Sequence, residues 1–317
     1  MSKAVVLPET TAILEALATQ EGPALSEMAA PEMRSVYRQL GELFDLPPVP
    51  GIATANFTGA GIPMRVYHPG EPKPAPVIVY MHGGGWVIGD LESHHSLCTQ
   101  IAGQTGLRVV AVDYRLAPQA TFPAAHEDCI TAVGHVLSAP AELGAPVTGV
   151  ALAGDSAGGN LAFAVSSHYG EGLLAQLLIY PVGDCTGANT ASYRDFGEGY
   201  LLDKPLMDRF IGDYLPAPDA RADLRVSPLL GELAGKFPPT IILTAGLDPL
   251  RDEGRLLAAR IALTGSEVHF LEAEGLIHGM ATMRKVLPTG DRILQQMFSR
   301  FAELIKDRSD KAREREA

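Results

Sequence analysis

Val150-Ala-Leu-Ala-Gly154-Asp-Ser156-Ala-Gly158-Gly-Asn-Leu161 is the stretch on which the fold turns. Val150–Ala153 is a continuous apolar run, the pattern of a parallel strand covered on both faces. From Ala157 the chain reads as a helix. Between them sits G-x-S-x-G, so strand, tight turn and helix follow without a spacer. Such a turn strains the backbone of Ser156 and leaves its Oγ exposed. The helix N-terminus then points its positive end at any negative charge that develops there. Glycines two before and two after the serine leave room for strand and helix to approach closely. A bare match would equally suit a glycine-rich turn with no chemistry, so the neighbouring segments must decide.

Outward from this stretch, apolar runs recur at Val77–Met81, Leu107–Val112, Ala175–Tyr180 and Thr240–Thr244, with a further candidate at Val268–Leu271. Pro63–His68 alternates as a half-buried strand does. Helical patterns fall between them, at about 93–104, 123–138, 157–169 and 252–264. The alternation predicts an α/β fold, a mostly parallel sheet with helices on both faces. Residues 1–50 are expected to be a helical cap segment. One helix passes through Ile13, Leu14 and Leu17; a second has Pro31 in its first turn and Met33, Val36, Tyr37, Leu40 and Phe44 at helical spacing. Residues 51–182 and 228–317 form the main body. Residues 183–227 read as an insertion over the sheet, with Asp203 as N-cap of a helix whose apolar face is Leu206, Met207, Phe210, Ile211 and Tyr214. The tail from Lys306 onward reads as the solvated end of a helix.

Composition narrows the function classes. The chain has 317 residues, 46% of them hydrophobic, enough to bury a sizeable core. Its 25 basic residues face 37 acidic ones, a net charge of −12 that argues against a nucleic-acid partner. Cys98, Cys129 and Cys185 are odd in number and lack metal-ligand spacing, so they read as small buried residues. No metal and no organic cofactor is expected. The opening Met1–Pro8 is too short an apolar run for a secretory signal, and no 18-residue apolar stretch occurs, so the expectation is a cytoplasmic protein without membrane insertion.

A serine nucleophile needs a base, and the base an orienting acid, in the chain order Ser, Asp or Glu, His. His278 lies in a loop after the last strand, where a mobile imidazole belongs. His269 is inside a strand and His168 is within the helix following the serine; both read as structural. Asp248 closes the Thr240–Thr244 segment, 30 residues before His278. Asp252 and Glu253 fall in the next helix and read as solvated first-turn residues, with Glu274 a weaker rival. His82-Gly83-Gly84-Gly85-Trp86 ends another strand, and its glycines let backbone N–H groups approach a substrate oxygen. Trp86, the only tryptophan, fits either a substrate wall or a packed structural position.

Taken together, His82-Gly-Gly-Gly-Trp86, Asp113-Tyr-Arg-Leu-Ala-Pro118, Gly154-Asp-Ser-Ala-Gly-Gly159, Asp248-Pro-Leu-Arg-Asp252 and Ile277-His-Gly279 resemble the bacterial hormone-sensitive-lipase-like carboxylesterases of the α/β-hydrolase fold. The resemblance covers about residues 55–305 and implies that the N-terminal helices form a cap. It implies Ser156 as nucleophile, Asp248 as acid, His278 as base, and the N–H groups of Gly84, Gly85 and Ala157 as an oxyanion hole that Gly83 shapes. Asp113 and Arg115 match a family motif read here as a buried structural pair. Met280 stands where such enzymes commonly carry an aromatic wall residue.

The expected activity is hydrolysis of a small-molecule ester, with short to medium acyl chains preferred. Leu40, Phe44, Phe210 and Tyr214 are candidates to close a pocket, or else only fasten the cap. Acyl transfer or amide hydrolysis by the same groups, and a non-catalytic receptor on the same scaffold, are the alternatives. Monomer and homodimer both remain open.

Overall fold

The computed structural model describes residues 5–19, 22–187 and 190–316. Residues 1–4, the start of the N-terminal run read above, lie outside the described residues.

Eight strands form one sheet: β1 (Ala53–Gly59), β2 (Ile62–His68), β3 (Ala75–Met81), β4 (Arg108–Val112), β5 (Val147–Asp155), β6 (Gln176–Ile179), β7 (Thr240–Leu247) and β8 (Val268–Ile277). Their spatial order is β1-β2-β4-β3-β5-β6-β7-β8. β2 runs antiparallel to both β1 and β4, and every other pairing is parallel. The sheet is thus the mostly parallel one expected, with an antiparallel edge.

The apolar strands read as unbroken runs because each pleat face has its own core. Val77, Val79 and Met81 pack on one side with Val110, Val112, Val150 and Leu152. Ile78 and Tyr80 pack on the other with Val109, Ala111, Ala151 and Ala153. The first face is covered by α4 (Ala124–Leu137), α5 (Ala157–Tyr169) and α8 (Arg251–Leu263); the second by α3 (His95–Thr105) and α9 (Pro288–Glu316). Each large side chain buried this way, Phe298 or Leu161 for example, contributes about 1.5–3 kcal/mol. β2 departs from its alternating pattern: Met64 to Tyr67 are all buried, since Met64 and Val66 enter one core and Tyr67 the other.

Two further segments lie over the C-terminal ends of the strands. α1 (Pro8–Ala18) is tied to β8 by Thr10 Oγ1, which donates to Gly275 O at 2.7 Å. α2 (Ala30–Phe44) carries Pro31 in its first turn. Its Arg34 donates to the carbonyls of Val87 and Ala117, each at 2.8 Å. At its end, Asp45 receives the Arg284 guanidinium through two bonds of 2.7 Å, both side chains buried. Between β6 and β7 come a short helix α6 (Ala191–Phe196), unforeseen from sequence, and α7 (Lys204–Tyr214), capped by Asp203 as expected. Arg209 of α7 donates to Ser26 O at 3.1 Å and joins the two segments.

Two local expectations change. Arg115 does not pair with Asp113: it grips Asp128 from 13 residues further on, with Nη2 donating at 2.7 Å, and its side chain is 57% exposed. Glu253 is not solvated. It is fully buried beneath the insertion, where its Oε2 accepts from the N–H groups of Gly183 and Asp184 at 2.6 and 3.0 Å. The tail is the mostly exposed end of a helix, as expected, and runs to Glu316. The three cysteines are buried free thiols, and no described helix is long and apolar enough to cross a membrane.

Candidate active site

Four strands deliver the site at their C-terminal ends, where open α/β sheets place ligands. Ser156 follows β5 directly and caps α5, with φ +54° and ψ −119°. A non-glycine residue at such a φ is strained and persists because its surroundings fix it. Here the Ser156 N–H donates to Ile179 O at 2.8 Å and its carbonyl accepts from Asn160 N–H at 3.0 Å. The flanking glycines are sterically required: a β-carbon on Gly154 would lie 2.3 Å from Gly158 O, and one on Gly158 would lie 2.0 Å from Met81 O.

His278 follows β8, and Asp248 follows β7. The His278 Nδ1–H donates to Asp248 Oδ2 at 2.7 Å. That leaves Nε2 as the acceptor, facing Ser156 Oγ at 3.0 Å. Asp248 is wholly buried, and its second oxygen accepts from Leu250 N–H at 2.8 Å. The ring of Tyr180, just past β6, lies 4.4 Å from the His278 ring. The structure therefore brings Ser156, His278 and Asp248 into one hydrogen-bonded chain. His168 stays within α5, and His269 on β8 pairs with Glu267 at 2.8 Å.

The glycine loop after β3 lies beside the serine. Gly84 and Gly85 both line the cavity that Ser156 and His278 face. Their φ values of +117° and +57° suit glycine, and among the described residues neither N–H has a partner. Ala157 opens α5, so its N–H has no partner within the helix. Gly83 differs from its neighbours: its N–H donates to Asp155 Oδ1 at 2.9 Å and is not free to bind substrate. His82 sits beneath the loop, stacked on Tyr114 at 4.2 Å. Burial, and then the charge of His94, push its imidazole down to about 4, which suits a neutral strut rather than a base.

The cavity wall is apolar. Tyr37, Leu40 and Phe44 of α2 face Leu206, Met207 and Phe210 of α7, with Leu17, Leu25, Leu202 and Met283 completing it. Of the sequence candidates, Leu40, Phe44 and Phe210 line this cavity. Trp86, Tyr214 and Met280 do not. Trp86 has φ +59° and stacks on Tyr214 at 4.8 Å with an 11° interplanar angle, fully buried behind the loop. Tyr214 in turn donates from its hydroxyl to His126 Nδ1 at 2.8 Å. Met280 is turned into the core beside α9, and Met283, one helical turn on, reaches the wall instead. Sequence reasoning missed Met283, Tyr180 and Asp155. Only Asp155 had a local signal, its place inside the G-x-S-x-G turn. Among the described residues no group of three or more His, Cys, Asp or Glu side chains could hold a metal ion.

Residues 78–282 match a family model described as the alpha/beta hydrolase fold. The chain belongs to the α/β-hydrolase family. Among similar α/β hydrolases is an ethyl acetate hydrolase of Pseudomonas putida, 36% identical over 241 residues, which cover 74% of this chain and 76% of that one. A carboxylesterase of Mycobacterium tuberculosis, NlhH, is 35% identical over 245 residues, 74% of this chain and 76% of its own. Among solved structures, a thermostable esterase from Pseudomonas putida superposes with a TM-score of 0.89 at 30% identity, covering 96% of this chain and 99% of that chain. An α/β-hydrolase enzyme from the metagenome of Lake Arreo gives 0.88 at 35% identity, covering 94% and 98%.

Proposed function

We propose that this carboxylic ester hydrolase works through an acyl-enzyme on Ser156 and prefers short to medium acyl chains. The supporting observation is the unbroken chain from Asp248 through His278 to Ser156 Oγ, set beside two unpartnered N–H groups. Ser156 Oγ attacks the ester carbonyl while His278 Nε2 takes its proton. The carbonyl oxygen becomes an oxyanion facing the N–H groups of Gly84, Gly85 and Ala157. As the tetrahedral intermediate collapses, His278 returns the proton to the leaving alcohol, and Asp248 holds the imidazole tautomer throughout. Water then repeats the sequence on the acyl-enzyme and releases the acid.

The acyl preference rests on the cavity wall. α2 and α7 face each other across Ser156, so an acyl chain meets apolar surface for a limited depth. The relative named for ethyl acetate fits the same direction. Replacing Ser156 by Ala tests the mechanism: turnover should vanish with the fold intact, and an organophosphonate should label Ser156 alone in the parent. Residual turnover well above an inactivated control would refute it.

A further inference from the structure

Asp155 takes no part in the steps above, yet it is the most heavily engaged carboxylate near them. It ends β5, immediately before Ser156, and is 3% exposed. Its Oδ1 accepts from the Tyr80 hydroxyl at 2.6 Å and from the Gly83 N–H at 2.9 Å. His94 Nε2 lies 3.3 Å from Oδ1 and 3.4 Å from Oδ2. His94 is itself buried and fixed by Ser93 Oγ, 2.9 Å from its Nδ1. A β-carbon on Gly83 would lie 2.3 Å from Asp155 Oδ2, so glycine there is the condition for the carboxylate to reach the loop. Burial alone would raise the Asp155 carboxyl; the charge of His94 and the hydrogen bonds from His94 and Tyr80 outweigh it and hold it below the usual carboxylate range.

Three consecutive glycines give a loop with little stiffness of its own. Donors that stabilise a developing charge must be fixed before the charge appears. We infer that Asp155 is the positioning residue of the oxyanion loop: its carboxylate bolts Gly83 to the serine turn, so that the Gly84 and Gly85 N–H groups and Ser156 Oγ keep a fixed separation. The inference rests on Ser156 as nucleophile. A carboxylate is suited to the task because charge-assisted acceptors bind N–H donors about twice as strongly as neutral ones. Asp155 borders the cavity, but both its oxygens face Gly83, Tyr80 and His94, so it acts through the loop.

The test compares the parent with Asp155→Asn and Asp155→Ala, each verified as folded by circular dichroism. The readouts are kcat, KM, and inhibition by an aliphatic trifluoromethyl ketone and by the alcohol of the same chain length. The ketone's serine adduct carries an oxyanion, whereas the alcohol only fills the cavity. Asp155→Asn keeps an acceptor for Gly83 and should lose about tenfold in kcat; Asp155→Ala should lose about 10²–10³-fold, the range for losing an oxyanion donor. KM should stay within about threefold. Ketone affinity should fall in step with kcat and alcohol affinity should hold. Unchanged ketone affinity in Asp155→Asn, or ketone and alcohol affinities falling together, would overturn the inference, and the Asn variant decides alone if the Ala variant does not fold. A parent enzyme that binds the ketone no better than the alcohol would instead remove the acyl-enzyme reading, and this inference with it.

Discussion

Phe210 packs against Gly85: a β-carbon on that glycine would stand 2.2 Å from the Phe210 ring. The helix that closes the cavity and the loop that carries the candidate oxyanion donors are therefore in van der Waals contact. Gly85→Ala should lower kcat/KM by about 10²-fold, because the β-carbon adds a clash to a left-handed φ. Phe210→Ala in the same chain should restore part of that loss. A double-mutant cycle on one ester measures the coupling; strict additivity would show that the ring and the loop act independently.

Asp248→Asn should reduce kcat by about 10⁴-fold, as an amide at this place favours the wrong imidazole tautomer. Asp252→Asn should leave kcat within a few-fold. Its carboxylate accepts from Ser192 N–H at 2.9 Å and faces Arg251 and Arg255, none of which lines the cavity at Ser156. Steady-state kinetics of both variants on one aryl ester decide; the opposite ranking would move the acid to Asp252.

Glu253 predicts a pH dependence of stability. Burial raises its carboxyl from 4.5 to about 8, outweighing the two backbone N–H groups that favour the anion. The native state keeps a proton that the unfolded chain releases. Its contribution is therefore present in full below about 4.5 and is lost as the pH climbs to about 8. Glu253→Gln keeps an acceptor for Gly183 and Asp184 and sets an amide where Oε1 has no partner. The melting temperature of Glu253→Gln relative to the parent should rise between pH 5 and pH 9. A constant difference would mean the carboxyl does not titrate in that window.

Efficiency should peak with acyl chains of roughly four to eight carbons. Each methylene adds about 0.8 kcal/mol only while it finds apolar wall, and Leu40, Phe44, Met207 and Phe210 are part of that wall. A series of p-nitrophenyl esters from acetate to palmitate measures the profile. A kcat/KM that keeps rising to palmitate would show an open groove.

What the sequence disclosed was local or ordered along the chain. The β5 run, its turn and α5 are contiguous, so Ser156 was legible from a dozen residues. Asp248 and His278 followed from chain order and from lying just past strand ends. What stayed hidden depended on rotation and long-range pairing. α7 was foreseen with a single apolar face, but its first half, through Phe210, looks into the cavity while Tyr214 turns behind the loop to Trp86. Which of Met280 and Met283 reaches the wall depends on a short helical turn after His278. Arg115 chose Asp128 over Asp113, and Glu253 was covered by residues 70 positions earlier; no local pattern announces either partner.

The Asp45–Arg284 clasp bears on how such enzymes diversify. It joins the end of α2 to the segment just past His278, and Lys285 N–H reinforces it by donating to Phe44 O at 3.1 Å. The wall proposed to select the acyl chain and the segment that carries the histidine thus share one hinge-less seam. A chimera that grafts another relative's N-terminal helices onto this body leaves Arg284 buried with only the neutral acceptors Gln100 and Ser96 unless position 45 travels with an acid, and removing one partner of a buried ion pair costs about 3–5 kcal/mol. Specificity can drift freely at Leu40, whereas the junction itself must be exchanged as a pair.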